Sequence, residues 1–199
     1  MGIYVNSKNA YTLYKSETAK PYFIDKTMIL KELFPLVEEG NNYLCITRPR
    51  RFGKTVMANM IAAFFSKGKD AEDIFETLQI HREQGYPIHL NQHSVIHITF
   101  NDLPRKCTSY EQYIDRIEEI LRNDLRKLYP EILMEDHLAL WDILLEIYAE
   151  MQEEKFIFVL DEWDFILHQR FITQEDKTSY LLFLRNLLKD RPYISQLNI

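Results

Sequence analysis

Apolar positions fall along this chain in two rhythms. Three short runs are continuous or nearly so: Tyr43–Ile46, Ser94–Phe100 and Phe156–Leu160. Runs of that length bounded by turn residues, the second rich in β-branched side chains, predict strands. Elsewhere apolar residues recur every three or four positions, as on one face of a helix. Val56, Met57, Met60, Ile61, Phe64 and Phe65 do so directly after the first run. Within 109–128 the stripe is Tyr113, Ile117, Ile120, Leu121, Leu125 and Leu128, and the charges between read as a solvated face. Two further helices are expected over 138–154, around Trp141, Leu144 and Ile147, and over 177–189, around Tyr180, Leu184 and Leu187. Shorter helices are expected over 71–79 and from Met28 toward Phe34, the latter capped by Asp25 or Thr27 and kinked or ended by Pro35. Residues 1–20 read as an irregular lead-in with room for a short helix, 81–93 as a polar connector, and 193–199 as ambiguous.

Strands alternating with helices predict an α/β fold, a three-layer sheet with helices on both faces, in one domain over 1–199. The strand ends carry the candidate chemistry. After Ile46 the loop Arg48-Pro49-Arg50-Arg51-Phe52-Gly53-Lys54-Thr55 leads into the helix that begins at Val56. Strand, loop ending in Gly-Lys-Thr, then helix is the context of a phosphate-binding loop. Phosphates need inward-pointing backbone N–H groups and the positive end of a helix behind them. Gly53 permits close backbone approach, Lys54 reaches the outer phosphates, and the Thr55 hydroxyl ligates Mg²⁺. Arg48 stands where the general pattern has glycine, so the competing reading is a basic turn capping a buried helix. The run Phe156–Leu160 ends in Asp161-Glu162, two carboxylates at a strand's C-terminal end, where open α/β sheets place their ligands. Asp161 is expected to hold Mg²⁺ through water, and Glu162 to orient or deprotonate the attacking water. The competing reading is an acid-rich helix start.

Residues 47–55 (TRPRRFGKT), preceded by YFIDKTMIL and followed by VLDEWDFIL, resemble the AAA-ATPase-like family of P-loop proteins. That family's loop also lacks the first glycine. The resemblance implies a P-loop NTPase sheet of the ASCE type, with ATP and Mg²⁺ as cofactors. Arg48, Pro49, Arg50, Arg51, Phe52, Gly53, Lys54, Thr55 and Val56 would hold the nucleotide, Thr55 and Asp161 the metal, and Glu162 and Lys54 would act in catalysis. It also implies that the YFIDKT element packs near the base. Arg50 and Arg51 either supply positive charge at the γ-phosphate in cis or pair with surface acids. Trp163 stands where the family has tyrosine. The family continues past the position of Ile199 into a strand ending in Thr-Gly, so the central sensor strand is expected to be absent. Three readings follow: a fragment of a longer protein, a sheet in which the two Walker strands pair directly, or a stub strand at Tyr193–Ile199 with Asn198 as sensor. Longer relatives carry a nuclease-like C-terminal region, and no nuclease activity is carried over to this chain.

Composition narrows the partners. Of 199 residues, 46% are hydrophobic and 27% charged, which suits a packed core rather than disorder. The net charge of −6 provides no overall attraction to nucleic acid. Two cysteines, Cys45 and Cys107, suggest a reducing compartment, with Cys45 expected as an inert core thiol. There is no run of transmembrane length and no signal-peptide pattern, and Asn6 stands where myristoylation wants Ser or Thr, so the cytoplasm is expected. His97 reads as a satisfied strand histidine, and His89 with His93 lacks neighbouring carboxylates for a metal site. The functional expectation is a Mg²⁺-dependent ATPase. The alternatives are a nucleotide-binding switch or interaction module with little hydrolysis, or an inactive fragment.

Overall fold

The computed structural model describes residues 2–39, 43–47, 52–68 and 70–198. Among them three strands form one parallel sheet in the order β1 (Ser94–Thr99), β2 (Phe156–Asp161), β3 (Ile194–Asn198). Ser94 lies opposite Phe156 and the register runs unbroken to Thr99 opposite Asp161. β3 pairs Ile194 with Phe156 and shifts register before Phe158.

Alternation along the strands assigns the two faces. Val95, Ile157 and Val159 pack on one side with α1 (Lys8–Thr18), α2 (Ile29–Glu39), α3 (Lys54–Phe65) and α4 (Glu72–Phe75). The four-residue α5 (Tyr86–His89) closes that layer through Tyr86. Ile96, Ile98, Phe156 and Phe158 pack on the other side with α6 (Tyr110–Leu128), α7 (Leu140–Glu150) and α8 (Gln174–Leu188). Each fully buried Leu, Ile or Phe in these layers contributes about 1.5–3 kcal/mol. The result is an α/β fold with a parallel sheet between two helical layers.

The place beside the Asp161 strand, expected to lack its partner, is filled as the stub-strand reading has it. Ile194–Asn198 runs parallel to β2 there, and the Phe156 N–H donates to the Tyr193 carbonyl at 2.7 Å. Its mixed sequence becomes a strand through pairing, with Tyr193, Ile194 and Ser195 buried, rather than through its own propensity. Conversely, the expected strand at 43–46 is largely irregular: only Tyr43 carries a bridge. Leu44 and Ile46 are half-buried while Tyr43, Cys45 and Thr47 are exposed, so the run alternates along a surface and is not enclosed on both faces. Cys45 is therefore an exposed thiol and not a core one.

The lead-in is largely helical. Ser7 caps α1 by accepting from the Asn9 N–H, and Tyr14 is buried beneath it. α2 continues through Pro35, whose exposed position places the lost backbone bond on the solvent side, while Leu30, Leu33, Phe34 and Val37 stay buried. The connector 81–93 folds into α5 and the end of a short 3-10 turn at Gln79–Arg82. Residues 4–6 cover the outer edge of β1: Val5 bridges Ile96, the His97 N–H donates to the Tyr4 carbonyl at 2.9 Å, and Asn6 Oδ1 accepts from the Val95 N–H at 2.9 Å. Asp124 of α6, buried to 2% exposure, ties this strip down by accepting from the N–H groups of Tyr4 at 2.6 Å and Val5 at 3.1 Å. The C-terminal end of α3 is finished by Asn91, at φ +56°. Its amide donates to the carbonyls of Ala63, Phe64 and Ser66, and its oxygen accepts from the Ala71 N–H.

Candidate functional site

Gly53 is the N-cap of α3 at φ +79°, ψ +30°, the left-handed region that glycine enters without penalty. A Cβ there would meet nothing nearer than Val56 Cβ at 4.0 Å, so the backbone angle and not crowding calls for glycine. Among the described residues no side chain caps the helix, and the N–H groups of its first turn precede the first intrahelical bond. From Met57 to Phe65 every residue of α3 is buried, so the helix end is held by a rigid core.

A cavity of about 450 Å³ opens between this helix end, residues 44–47, the C-terminal end of β2 and the side of α8. Lys54, Asp161 and Glu162 all line it, with Cys45 and Trp163 on its walls. Asp161 is 6% exposed and lies in the strand alternation with Ile157 and Val159, toward α3. Its backbone oxygen accepts from the Phe100 N–H at 2.9 Å, but its Oδ2 is buried without a partner. A buried carboxylate oxygen left open is costly, and it marks a place for a cation or donor. Glu162, the next residue, is exposed and takes φ +55°, so the chain turns sharply at the strand end. That turn brings two consecutive carboxylates to one cavity, although an extended strand would send them to opposite faces. It is held by the Phe165 N–H to the Glu162 carbonyl at 2.9 Å and by Tyr180 Oη to the Trp163 carbonyl at 2.6 Å.

A second cavity, about 290 Å³, lies along the opposite flank of α3, lined by Tyr14, Phe23, Lys26, Phe52, Gly53 and Val56 among others. Its rim is apolar yet open: Tyr22 is 93% exposed, Ile24 71% and Phe52 61%. Tyr14 Oη is buried with no partner, and burial pushes its pKa up. Asp25 does not enter this cavity. It accepts from the Thr27 N–H and hydroxyl and from the Gln79 N–H, fixing the turn that presents Tyr22 to Ile24.

The expected site residues thus divide. Lys54, Asp161 and Glu162 share one cavity, Phe52, Gly53 and Val56 share the other, and Thr55 is exposed on the first turn between them. Arg48, Pro49, Arg50 and Arg51 lie outside the described residues. Met57 and Leu184 are not expected at either cavity, since their helical spacing reads as ordinary core, nor is Tyr14, which falls in the polar lead-in 1–20. Among the described residues no three His, Cys, Asp or Glu side chains form a metal cluster. Mg²⁺ does not need one: it takes one or two protein oxygens, with waters and phosphates completing its shell. The open Asp161 oxygen fits that demand.

The histidines differ from expectation. His97, on β1 with its side chain in the alternation of Val95, is 8% exposed, and its Nε2 is buried without a partner. Burial pushes it down to about 4, against the opposing charge of Asp161. His89 and His93 do have carboxylates nearby: Glu38 Oε1 lies 3.2 Å from His89 Nε2. His89 Nδ1 faces His93 Nε2 at 3.1 Å, and burial lowers both.

Among the described residues no helix is long and apolar enough to cross a membrane. No solved structure matches the chain. An uncharacterized protein from the vnfD 5′ region of Azotobacter chroococcum mcd 1 is 26% identical over 144 residues, which is 72% of this chain and 25% of that protein. The chain therefore spans about a quarter of that relative's length. The family model described as Predicted AAA-ATPase matches residues 13–194. That match takes in α3, all of β1 and β2 and the first residue of β3, and the chain belongs to the AAA-ATPase-like family.

Proposed function

We propose that this chain binds ATP at the Gly53–Thr55 turn and hydrolyses its β–γ phosphoanhydride with Mg²⁺. The observation that carries the reading is the buried, unpartnered Asp161 Oδ2, lining the same cavity as Lys54 and Glu162 at an uncapped helix N-terminus. The N–H groups of the first turn of α3 receive phosphate oxygens, and the Lys54 ammonium offsets their charge. Thr55 and Asp161 would hold Mg²⁺, which when bound neutralises charge across the β- and γ-oxygens. Glu162 orients a water and takes its proton as the new P–O bond forms and the bridging P–O bond to the β-phosphate breaks. Arg48, Pro49, Arg50 and Arg51, outside the described residues, would contribute N–H groups and positive charge to the phosphates in this reading. The flanking cavity takes the base: open aromatic and aliphatic side chains at Tyr22, Ile24 and Phe52 suit a flat ring better than solvent.

The strand beside β2 removes one reason to expect a binder without turnover. The exposure of Glu162 favours a second reading, a nucleotide-binding switch that hydrolyses slowly. Thermal unfolding with and without Mg-ATP tests the shared premise. At one hundred times the dissociation constant, nucleotide stabilises a binder by about 2.7 kcal/mol. No shift at millimolar Mg-ATP contradicts both readings. Glu162→Gln separates them: turnover abolished with Mg-ATP binding kept supports the enzyme, and turnover unaltered leaves the switch.

A further inference from the structure

Two buried polar atoms on the α3 side of the sheet lack partners, and they sit on neighbouring strands. His97 lies opposite Val159, and Asp161 is the next residue of β2 on the same face. The rest of that face of the two strands is apolar, Val95, Ile157 and Val159, apart from Thr99 at the end of β1. Asp161 Oδ2 has no donor and His97 Nε2 has no acceptor, and each side chain is more than nine-tenths buried. The two are diagonal neighbours on adjacent parallel strands, and the Asp161 charge acts on the His97 imidazole. Leaving one such group unsatisfied costs about 1–3 kcal/mol, and leaving two side by side suggests that they are meant to share a hydrogen bond.

We propose that His97 is a positioning residue for Asp161: its Nε2–H donates to Asp161 Oδ2, directly or through one water, when Mg-nucleotide occupies the cavity. This rests on the nucleotide reading above. Carboxylates that serve metals are themselves held by a second hydrogen bond, which fixes the plane of the carboxyl group. A donor on one lone pair of Oδ2 fixes the carboxylate and leaves the remaining lone pairs of its two oxygens for the cation. The donor must be neutral, because a second cation behind Asp161 would cancel the charge that the metal requires. A histidine enclosed by Val95, Ile157 and Val159 meets that condition, whereas lysine or arginine would not.

The test compares His97→Gln, which keeps a donor, with His97→Leu, which removes it. The measurement is affinity for a non-hydrolysable ATP analogue by calorimetry, once with Mg²⁺ and once with EDTA. His97→Leu is expected to lose about tenfold or more of the affinity gained from Mg²⁺, while binding in EDTA stays at the parent value. His97→Gln is expected to restore most of the gain. Equal Mg²⁺ dependence in parent and His97→Leu overturns the proposal, as does loss of the same size with and without Mg²⁺. Imidazole ¹⁵N spectra of the parent serve if the leucine variant does not fold: an Nε2 resonance unmoved by Mg²⁺ with the analogue is equally contrary. A parent that binds no analogue at all overturns the nucleotide reading itself, a result distinct from these.

Discussion

Glu162 pays for its place at the cavity with its backbone. A non-glycine residue in the left-handed region costs about 1–2 kcal/mol, and here the φ is +55°. Replacing it with glycine should therefore stabilise the fold by about 1 kcal/mol in urea unfolding while removing turnover. A Glu162→Gly variant less stable than the parent would show that the side chain, not the angle, holds the turn. His93 and His97 make a second prediction at this scale. Burial holds both at about 4, below the ordinary histidine value of 6.5. The unfolded chain therefore binds more protons than the folded one between those values, so stability falls as pH drops from about 6.5 toward 4. For His97 alone the loss reaches about 3 kcal/mol across that window. Denaturant midpoints measured between pH 7 and pH 4 should show the slope, and His97→Leu should flatten it.

At the level of elements, α6 shows why a sequence stripe is an incomplete guide. Its apolar face, Tyr113, Ile117, Leu121 and Leu125, is buried as the periodicity implies, and its Ser109 cap accepts from the Gln112 N–H. Yet Asp124 and Arg122, counted with the solvated face, are buried as well. Arg122 donates to the carbonyls of Glu135 and Leu138, and Asp124 holds the strip over β1. Those partners lie up to 120 residues away, and no local period encodes them. Asp124→Ala should cost about 2–5 kcal/mol, since two backbone N–H groups lose their acceptor, and Asp124→Asn should recover part of it. A loss under 1 kcal/mol in urea unfolding would mean that water replaces the carboxylate. The same limit explains the strands. β1 and β2 were legible because their apolar runs are buried on both faces, whereas Ile194–Asn198 is a strand only because β2 is beside it. Tyr43–Ile46 carried the right residue types, but half of them meet solvent. The glycine cap at Gly53 and the meeting of Lys54, Asp161 and Glu162 at one cavity follow the sequence pattern, whose residue types the proposed phosphate and metal chemistry would restrict. The cavity wall from α1 was not legible, because residues 1–20 are polar with scattered tyrosines, and no period marks Tyr14 as buried.

Across the whole molecule, the two cavities flank a single helix end, with acids on one side and open aromatic rings on the other. The Lys54 ammonium lines only the acidic side. Lys54→Ala should therefore weaken Mg-ATP binding at least tenfold in titration calorimetry while leaving the unfolding free energy within about 0.5 kcal/mol, as for a half-exposed side chain outside the core. Equal affinity in variant and parent would remove the turn from the nucleotide site.

The two ends of α3 are finished differently, and amide exchange with deuterium should register it. At the C-terminal end Asn91 spans the last carbonyls, and the Ser66 N–H is bonded to Ala62 inside a sealed core. Those amides open only when the whole layer opens, so their exchange should be slow and indifferent to ligand. At the other end the N–H groups of Lys54, Thr55 and Val56 precede the first intrahelical bond and have no capping side chain among the described residues. They should exchange within the shortest labelling times in the free protein and slow when phosphate oxygens reach them. One helix thus holds both the probe and its internal reference, and the ratio of exchange at its two ends reports occupancy without reference to turnover.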